Sequence, residues 1–123
     1  MATLRTPLHS LAANSGASFQ EWGDWELPRA YSEVALEHKA ALEGAAVHDS
    51  SYTGRVRATG EDVLALLHRL STNEVLSLEA GRGAPTVLTT DRGRILDLVS
   101  VLNLGDHILL LSGAGASERV TDF

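Results

Sequence analysis

Three apolar runs separated by short turn signals fill the last third of this chain. The runs span residues 87–89, 95–104 and 108–111. Asp91-Arg92-Gly93 is typical of a hairpin loop, and Gly105-Asp106 is typical of a two-residue type II′ turn. Two such turns between three runs predict an antiparallel meander over residues 85–112. The middle run is apolar at consecutive positions, so we expect both of its faces to be covered.

A helical pattern precedes the meander. Thr59-Gly-Glu-Asp62 resembles a capping box, and an apolar series follows at i, i+3, i+4 and i+7: Val63, Leu66, Leu67 and Leu70. This series predicts a helix over 61–70 that packs on the meander. A weaker pattern predicts a helix over about 33–43 with Ser32 as its N-cap, and alternating residues predict a strand over 54–59. The predicted fold class is α+β, an antiparallel sheet backed by helices.

Aromatic residues are concentrated in the first part of the chain. Trp22 and Trp25 flank Gly23, and three further residues there break regular structure: Pro7, Gly16 and Pro28. This composition predicts an irregular aromatic layer over 1–31, followed by a helix/strand module over 32–123. Since 123 residues with 44% hydrophobic content suffice for one core, we expect a single domain.

Composition excludes several classes of function. The net charge of −6 argues against a nucleic-acid partner, because phosphate binding needs a basic face. The absence of cysteine excludes disulfides, zinc–thiolate sites and thiol nucleophiles. No run reaches the length of a membrane span, and the first residues lack a signal-peptide apolar region. We therefore expect a cytoplasmic protein without a membrane partner.

Local motifs point to no complete active site. His48, Asp49, Ser50 and Ser51 are the residue types of a hydrolase triad, but adjacent side chains point apart, so the run predicts a turn with side-chain capping bonds. Gly113-Ala-Gly115 lacks the third glycine of a dinucleotide loop. The histidines show no metal-ligand spacing. The sequence therefore predicts neither a catalytic set nor a metal site.

Asp97 is the one acid inside the apolar middle strand. Burying a carboxylate is costly unless it is paired or functional. Alternation along a strand places Asp97 on the same face as Val99 and Val101 and opposite Leu98. Two readings stay open: a functional carboxylate, or a structural acid that either lies on a partly wet face or caps a neighbouring backbone group.

Motifs along almost the whole chain resemble, in order, the N-terminal part of the folate-binding T-protein superfamily. This superfamily includes glycine-cleavage aminomethyltransferases and YgfZ-like folate-binding proteins. Gly23-Asp-Trp-Glu-Leu-Pro28 is similar to its G-W-E-M-P segment, residues 46–55 resemble its D-V-S-H-M-G-R run, and Gly93-Arg-Ile-Leu-Asp97 resembles G-G-I-L-D. The resemblance implies antiparallel sheets in an incomplete front module, tetrahydrofolate as ligand and one-carbon transfer as chemistry.

The departures from this resemblance fall in the ligand site. Asp97 aligns with the first of two adjacent family acids, and Leu98 stands at the second, which contacts folate. The other replacements are Tyr52 for histidine, Thr53 for methionine, Pro85 for tyrosine and Gly113 for asparagine. Leucine can neither accept a hydrogen bond nor move a proton, so we expect no catalytic residue. Asp97, Tyr52 and Thr53 are the residues expected to line any folate pocket that persists.

The resemblance leaves two hypotheses open. The first is a fragment of a tetrahydrofolate-dependent aminomethyltransferase with a degraded ligand site, inactive on its own. The alternative is a non-catalytic YgfZ-like folate-binding protein or interaction module linked to iron–sulfur cluster maintenance. The two differ in chemistry, because only the first requires transferase residues.

We predict self-association, or packing against a completing chain, through residues 108–123. Residues 112–118 have the pattern of a strand that enters a helix, and the sequence stops at Phe123 after one or two helical turns. A helix that short is marginal without packing partners, and an incomplete module leaves apolar surface uncovered. Sedimentation at micromolar concentration should therefore detect a self-associated species. A clean, stable monomer would contradict this prediction.

Overall fold

The computed structural model describes residues 3–123 and divides them into two compact units. The first unit ends at Tyr52 and the second runs from Thr53 to Phe123. Each contains helices and a sheet with antiparallel pairing, so the predicted α+β class is confirmed. That residues 1–123 belong to one partial domain stays a prediction.

The first unit contains a three-stranded sheet and two helices. Its elements are β1 (Leu4–Arg5), α1 (His9–Asn14), β2 (Ser18–Trp22), β3 (Trp25–Ala30) and α2 (Val34–Glu43). β3 lies between β1, which runs parallel to it, and β2, which runs antiparallel. The predicted helix over 33–43 is confirmed as α2. The structure groups α2 with this first unit, whereas the sequence pattern placed it in a module starting at residue 32.

The expectation of an irregular layer over 1–31 is wrong, because strands and a helix occupy most of that segment. Pro28 is tolerated in β3 since β1 pairs only with Trp25 and Glu26, which leaves the rest of that edge of β3 without a partner strand. The β2–β3 connection is the two-residue turn Gly23-Asp24, in which Gly23 adopts a φ of +60°.

Contacts on one face of the β2–β3 hairpin hold the first unit together. The His9 ring stacks on Phe19 with 4.4 Å between ring centroids. His9 Nε2 lies 2.7 Å from Glu26 Oε2, and Arg5 Nε donates to the same oxygen at 2.8 Å. α1, β1 and β3 are therefore joined through a single carboxylate.

The second unit is a four-stranded antiparallel sheet with two helices. Its elements are β4 (Thr53–Ala58), α3 (Val63–Leu70), β5 (Gly83–Thr89), β6 (Ile95–Asn103), β7 (Ile108–Ala114) and α4 (Ser117–Thr121). The strand order is β4-β7-β6-β5. The meander predicted over 85–112 is confirmed as β5 to β7. Gly93 and Gly105 have φ values of +70° and +91°, as the two predicted turns require.

A single apolar layer lies between α3 and one face of this sheet. Leu67 of α3 packs with a buried cluster drawn from the loop after it and from three strands: Val75, Leu88, Val99, Val101, Ile108 and Leu110. Each such side chain gains about 1.5–3 kcal/mol on full burial, before the entropy of ordering is counted. The helix predicted over 61–70 therefore backs the meander as expected.

Three finer sequence predictions are wrong. α3 begins at Val63 rather than residue 61, and no capping-box side chain bonds its N-terminus. The N-cap of α2 is Glu33 rather than Ser32. The middle strand is not covered on both faces: Leu98 of β6 is 64% exposed, because the described helices of the second unit pack on one side of the sheet.

We predict that Gly54→Ala destabilises the second unit by about 1–3 kcal/mol through overpacking. Gly54 pairs with Ser112, and a Cβ at position 54 would lie 2.1 Å from Ser112 Oγ and 3.0 Å from Ser117 Cβ. Urea denaturation followed by far-UV circular dichroism measures the change in unfolding free energy.

The double variant Gly54→Ala/Ser112→Ala is the control. It removes the nearest obstructing atom, a buried hydroxyl that makes no hydrogen bond, so part of the lost stability should return. A Gly54→Ala protein as stable as the parent chain would show that β4, β7 and α4 are not closely packed here.

Candidate functional site

The three residues predicted to contact folate fall in both units. Tyr52 is the last residue of the first unit, and Thr53 and Asp97 belong to the second. Thr53 pairs with Ala114 at the end of β7, and Asp97 lies in β6, the strand on the other side of β7. The second unit therefore brings Thr53 and Asp97 to the same end of its sheet.

Asp97 lies just beyond the point where the pairing of β6 with β7 ends. Regular pairing runs from Asn103–Ile108 to Ser100–Leu111 and does not continue toward Asp97. Beyond it, the backbone N–H of Gly113 donates to Asp97 Oδ2 at 2.9 Å. The carboxylate thus replaces a missing strand–strand hydrogen bond and caps a backbone group, while a role of Asp97 in ligand binding stays a prediction.

Glycine at position 113 makes room for this carboxylate. A Cβ built on Gly113 would lie 3.3 Å from Asp97 Oδ1 and 3.8 Å from Oδ2. The first distance is shorter than ordinary van der Waals contact, so a side chain at 113 would require the carboxylate to shift by a few tenths of an ångström. Glycine at 113 therefore lets Asp97 approach the backbone without that shift.

The other face of the sheet is apolar along β6 and β7. Leu98 points away from the buried Val99, and Leu102, Leu109 and Leu111 share its face by strand alternation and pairing. Arg55 and Arg57 of β4 pair with Leu111 and Leu109 and lie on that face too. No carboxylate follows Asp97 on β6, so this face offers a ligand no acid at the position after Asp97.

The first unit contains a pocket of about 330 Å³ that the sequence analysis did not anticipate. Its floor is one face of the β2–β3 hairpin, and its walls come from the start of α2 and from residues 47–52. The side chains that argue for a binding site are Gln20, Trp22, Arg29, Tyr31, Glu37 and Tyr52. The Gly23-Asp24 dipeptide was the signal that could have revealed the hairpin.

Glu37 holds the backbone at the start of α2, which forms one side of the pocket. Its Oε1 accepts hydrogen bonds from the backbone N–H groups of Tyr31, at 2.7 Å, and of Ser32. The Ser32 N–H bond, followed by the Tyr31 bond, holds the pKa of Glu37 below its ordinary value. The carboxylate therefore organises the entry into the helix while it is ionised.

The run from His48 to Ser51 forms a turn, as predicted. The Ser51 N–H and hydroxyl both donate to Asp49 Oδ1, the first at 3.0 Å, which is an Asx-type turn. The Ser51 hydroxyl is also the main cause that lowers the pKa of Asp49. His48 instead contacts Tyr52, with 3.2 Å between Nε2 and the phenol oxygen. These contacts do not form a proton relay to a serine nucleophile.

Residues 3–123 lack two kinds of feature. No group of three or more His, Cys, Asp or Glu side chains in this range is arranged to hold a metal ion. None of the helices described there has the length and apolar character needed to cross a membrane.

Comparisons with known proteins agree on one family. The model of the GCVT N-terminal domain matches residues 8–123. An aminomethyltransferase of Deinococcus deserti is 36% identical over 110 residues, which are 89% of this chain and 31% of that protein. A probable aminomethyltransferase of Natronomonas pharaonis is 36% identical over 98% of this chain and 34% of its own.

A solved structure agrees on the fold. The crystal structure of the glycine cleavage system aminomethyltransferase T from Bartonella henselae superposes with a TM-score of 0.81 at 23% identity. The match covers 99% of this chain and 34% of that chain. The chain thus spans about a third of the length of the curated relatives it matches.

We predict that acid weakens the start of α2 through Glu37. A carboxyl whose pKa is lowered by folding stabilises the protein above its unfolded value of 4.5, and this contribution is lost as the pH falls below that value. Glu37→Gln should therefore lower the melting temperature at neutral pH. The melting temperature of this variant should also fall less than that of the parent chain when the pH is lowered. Thermal unfolding by circular dichroism across this pH range measures both effects.

Glu43→Gln is the matched control for this experiment. Glu43 lies on the same helix and faces Lys39 only at 3.9 Å, an exposed pair of little energetic value. An equal loss of acid sensitivity in both variants would contradict the role given to Glu37.

Proposed function

The chain belongs to the GCVT N-terminal domain family, and from that premise we propose that it is the front third of a folate-binding, aminomethyltransferase-like protein. Its relatives carry the name aminomethyltransferase over chains about three times as long. We further propose that the folate site of this chain is degraded. On its own, the chain would then have no transferase activity and bind tetrahydrofolate weakly or not at all.

The residue at position 98 carries this proposal. A folate ligand presents N–H groups that need acceptors, and Asp97 uses one of its two oxygens for the Gly113 N–H at 2.9 Å, which leaves the other oxygen as an acceptor. The next position holds Leu98, which has no acceptor and is largely exposed. The residues around Asp97 therefore offer a reduced folate fewer acceptors than the family resemblance implies, and no chemical step is assigned to them.

Magnitudes indicate how much affinity these changes remove. A hydrogen bond to a charged group contributes about 1.5–3 kcal/mol. Losing one such bond therefore weakens binding roughly tenfold to a hundredfold. Any folate contact that persists in the second unit would use Asp97 and Thr53. Tyr52, in the first unit, stays a predicted contact.

We also propose that further protein covers the apolar face of β6 and β7. Leu98 is exposed there, and Leu109 and Leu111 of the same face are only partly buried. A patch of this kind on a soluble protein marks a contact surface. The covering protein would be a second copy or a completing chain, in contact with residues 108–123.

Calorimetric titration with tetrahydrofolate tests the degraded-site proposal. The unmodified chain should bind weakly or not at all, and Leu98→Asp should strengthen binding roughly tenfold or more by restoring an acceptor. Leu102→Asp is the matched control, because it adds the same charge to the same face of the same strand.

Two results would overturn the proposal. Micromolar binding by the unmodified chain that is abolished by Asp97→Ala would show that Asp97 is a working ligand. Equal affinities for Leu98→Asp and Leu102→Asp would show that the identity of residue 98 is not the cause.

A further inference from the structure

The pocket of the first unit is lined by residues of that unit only and has its own chemistry. Strand pairing places Gln20, Trp22 and Leu27 on one face of the β2–β3 hairpin, and alternation adds Arg29 to that face. The opposite face carries Phe19 and Glu26, whose contacts with His9 and Arg5 are internal. The face with Gln20 and Arg29 is therefore the one whose polar side chains can contact a ligand.

Aromatic surface surrounds this pocket and remains open to solvent. Trp22 is 60% exposed and Tyr31 is 50% exposed, and both line the cavity. Tyr52 adds a third ring, held edge-on against His48 with 5.8 Å between ring centroids. Rings of this kind gain free energy when a flat apolar group covers them.

Arg29 supplies the positive charge of the pocket. It is exposed, and no hydrogen bond or ion pair of the described residues involves it. A guanidinium presents a planar fork of donors that matches a carboxylate in two hydrogen bonds. The fork is available to a ligand because neither Glu37 nor Asp49, the two acids of the lining, forms a salt bridge with it.

The two acids set the charge that a ligand should have. Glu37 Oε1 and Asp49 Oδ1 accept hydrogen bonds from the protein itself, and Asp49 Oδ2 is buried without a well-formed hydrogen bond. The folded state lowers the pKa of both groups, so they are ionised at neutral pH. A ligand with only negative charge would face two carboxylates, whereas one that also carries a cation would be attracted to them.

We propose that this pocket binds a small aromatic zwitterion, an amino acid with a flat side chain. Its carboxylate would pair with Arg29, its ammonium would face Glu37 and Asp49, and its ring would cover Trp22. The volume of about 330 Å³ lies at the lower end of ligand pockets and suits a molecule of this size. The proposal rests on residues of the first unit alone, among which Tyr52 is also a predicted folate contact.

Three probes separate the parts of this recognition. L-phenylalanine carries both charges, 3-phenylpropionate only the carboxylate, and phenethylamine only the ammonium. Titrations of the ¹⁵N-labelled chain, followed at the indole N–H signals of Trp22 and Trp25, should show tightest binding for phenylalanine. Each single-charge probe should bind roughly tenfold or more weakly, because a charge-assisted hydrogen bond is lost.

Variants then test the named residues. Arg29→Gln should weaken phenylalanine and phenylpropionate but leave phenethylamine unchanged, and Trp22→Leu should weaken all three. Arg92→Gln, an exposed arginine of the β5–β6 loop, is the control that should change nothing. The indole signals also report whether each variant is folded.

The proposal is overturned by any of three results. These are the absence of phenylalanine binding by folded protein at millimolar concentration, equal affinity for all three probes, and a phenylalanine affinity that Arg29→Gln does not change. Arg29→Lys keeps the charge without the fork and should fall between the parent and Arg29→Gln. An affinity of Arg29→Lys equal to the parent would overturn the two-bond contact.

Discussion

The second unit depends on burying one face of an antiparallel sheet under α3. Because side chains alternate along a strand, the burial of Val99 and Val101 fixes the direction of the two residues that precede them in β6. It turns Asp97 toward the inner face and Leu98 toward the outer one. The chemistry available at this end of the sheet therefore follows from which apolar residues the core selects, and a change of register by one residue would exchange the two positions.

The meander was predictable because its turn residues and its apolar runs indicate the same strands and the same hairpin connections. Gly93 and Gly105 stand where the chain needs positive φ, and the runs between them have strand length. The partner of Asp97 was harder to foresee. That contact exists because the β6–β7 ladder ends at Ser100, and no local pattern records where a ladder ends. The sequence could therefore limit Asp97 to two readings but could not choose between them.

The same Gly-Asp turn signal occurs in both units, but the sequence pattern predicted a hairpin only in the second. Gly23-Asp24 and Gly105-Asp106 are the same dipeptide in the same kind of turn, with positive φ at the glycine. Apolar runs of strand length flank only the second one, whereas Pro28 and two tryptophans interrupt the pattern around the first. The pocket was beyond sequence reasoning for a different reason: Trp22, Glu37 and Tyr52 come from three separate segments, and only the folded chain brings them to one cavity.

The contact between Asp97 and Gly113 makes the order of evolutionary substitutions matter. An asparagine at 113 would place its Cβ about 3.3 Å from the Asp97 carboxylate, so the carboxylate would have to shift by a few tenths of an ångström. The same asparagine would require no such shift after Asp97 had been replaced. The effect of a substitution at 113 on stability therefore depends on which residue stands at 97 when the substitution occurs.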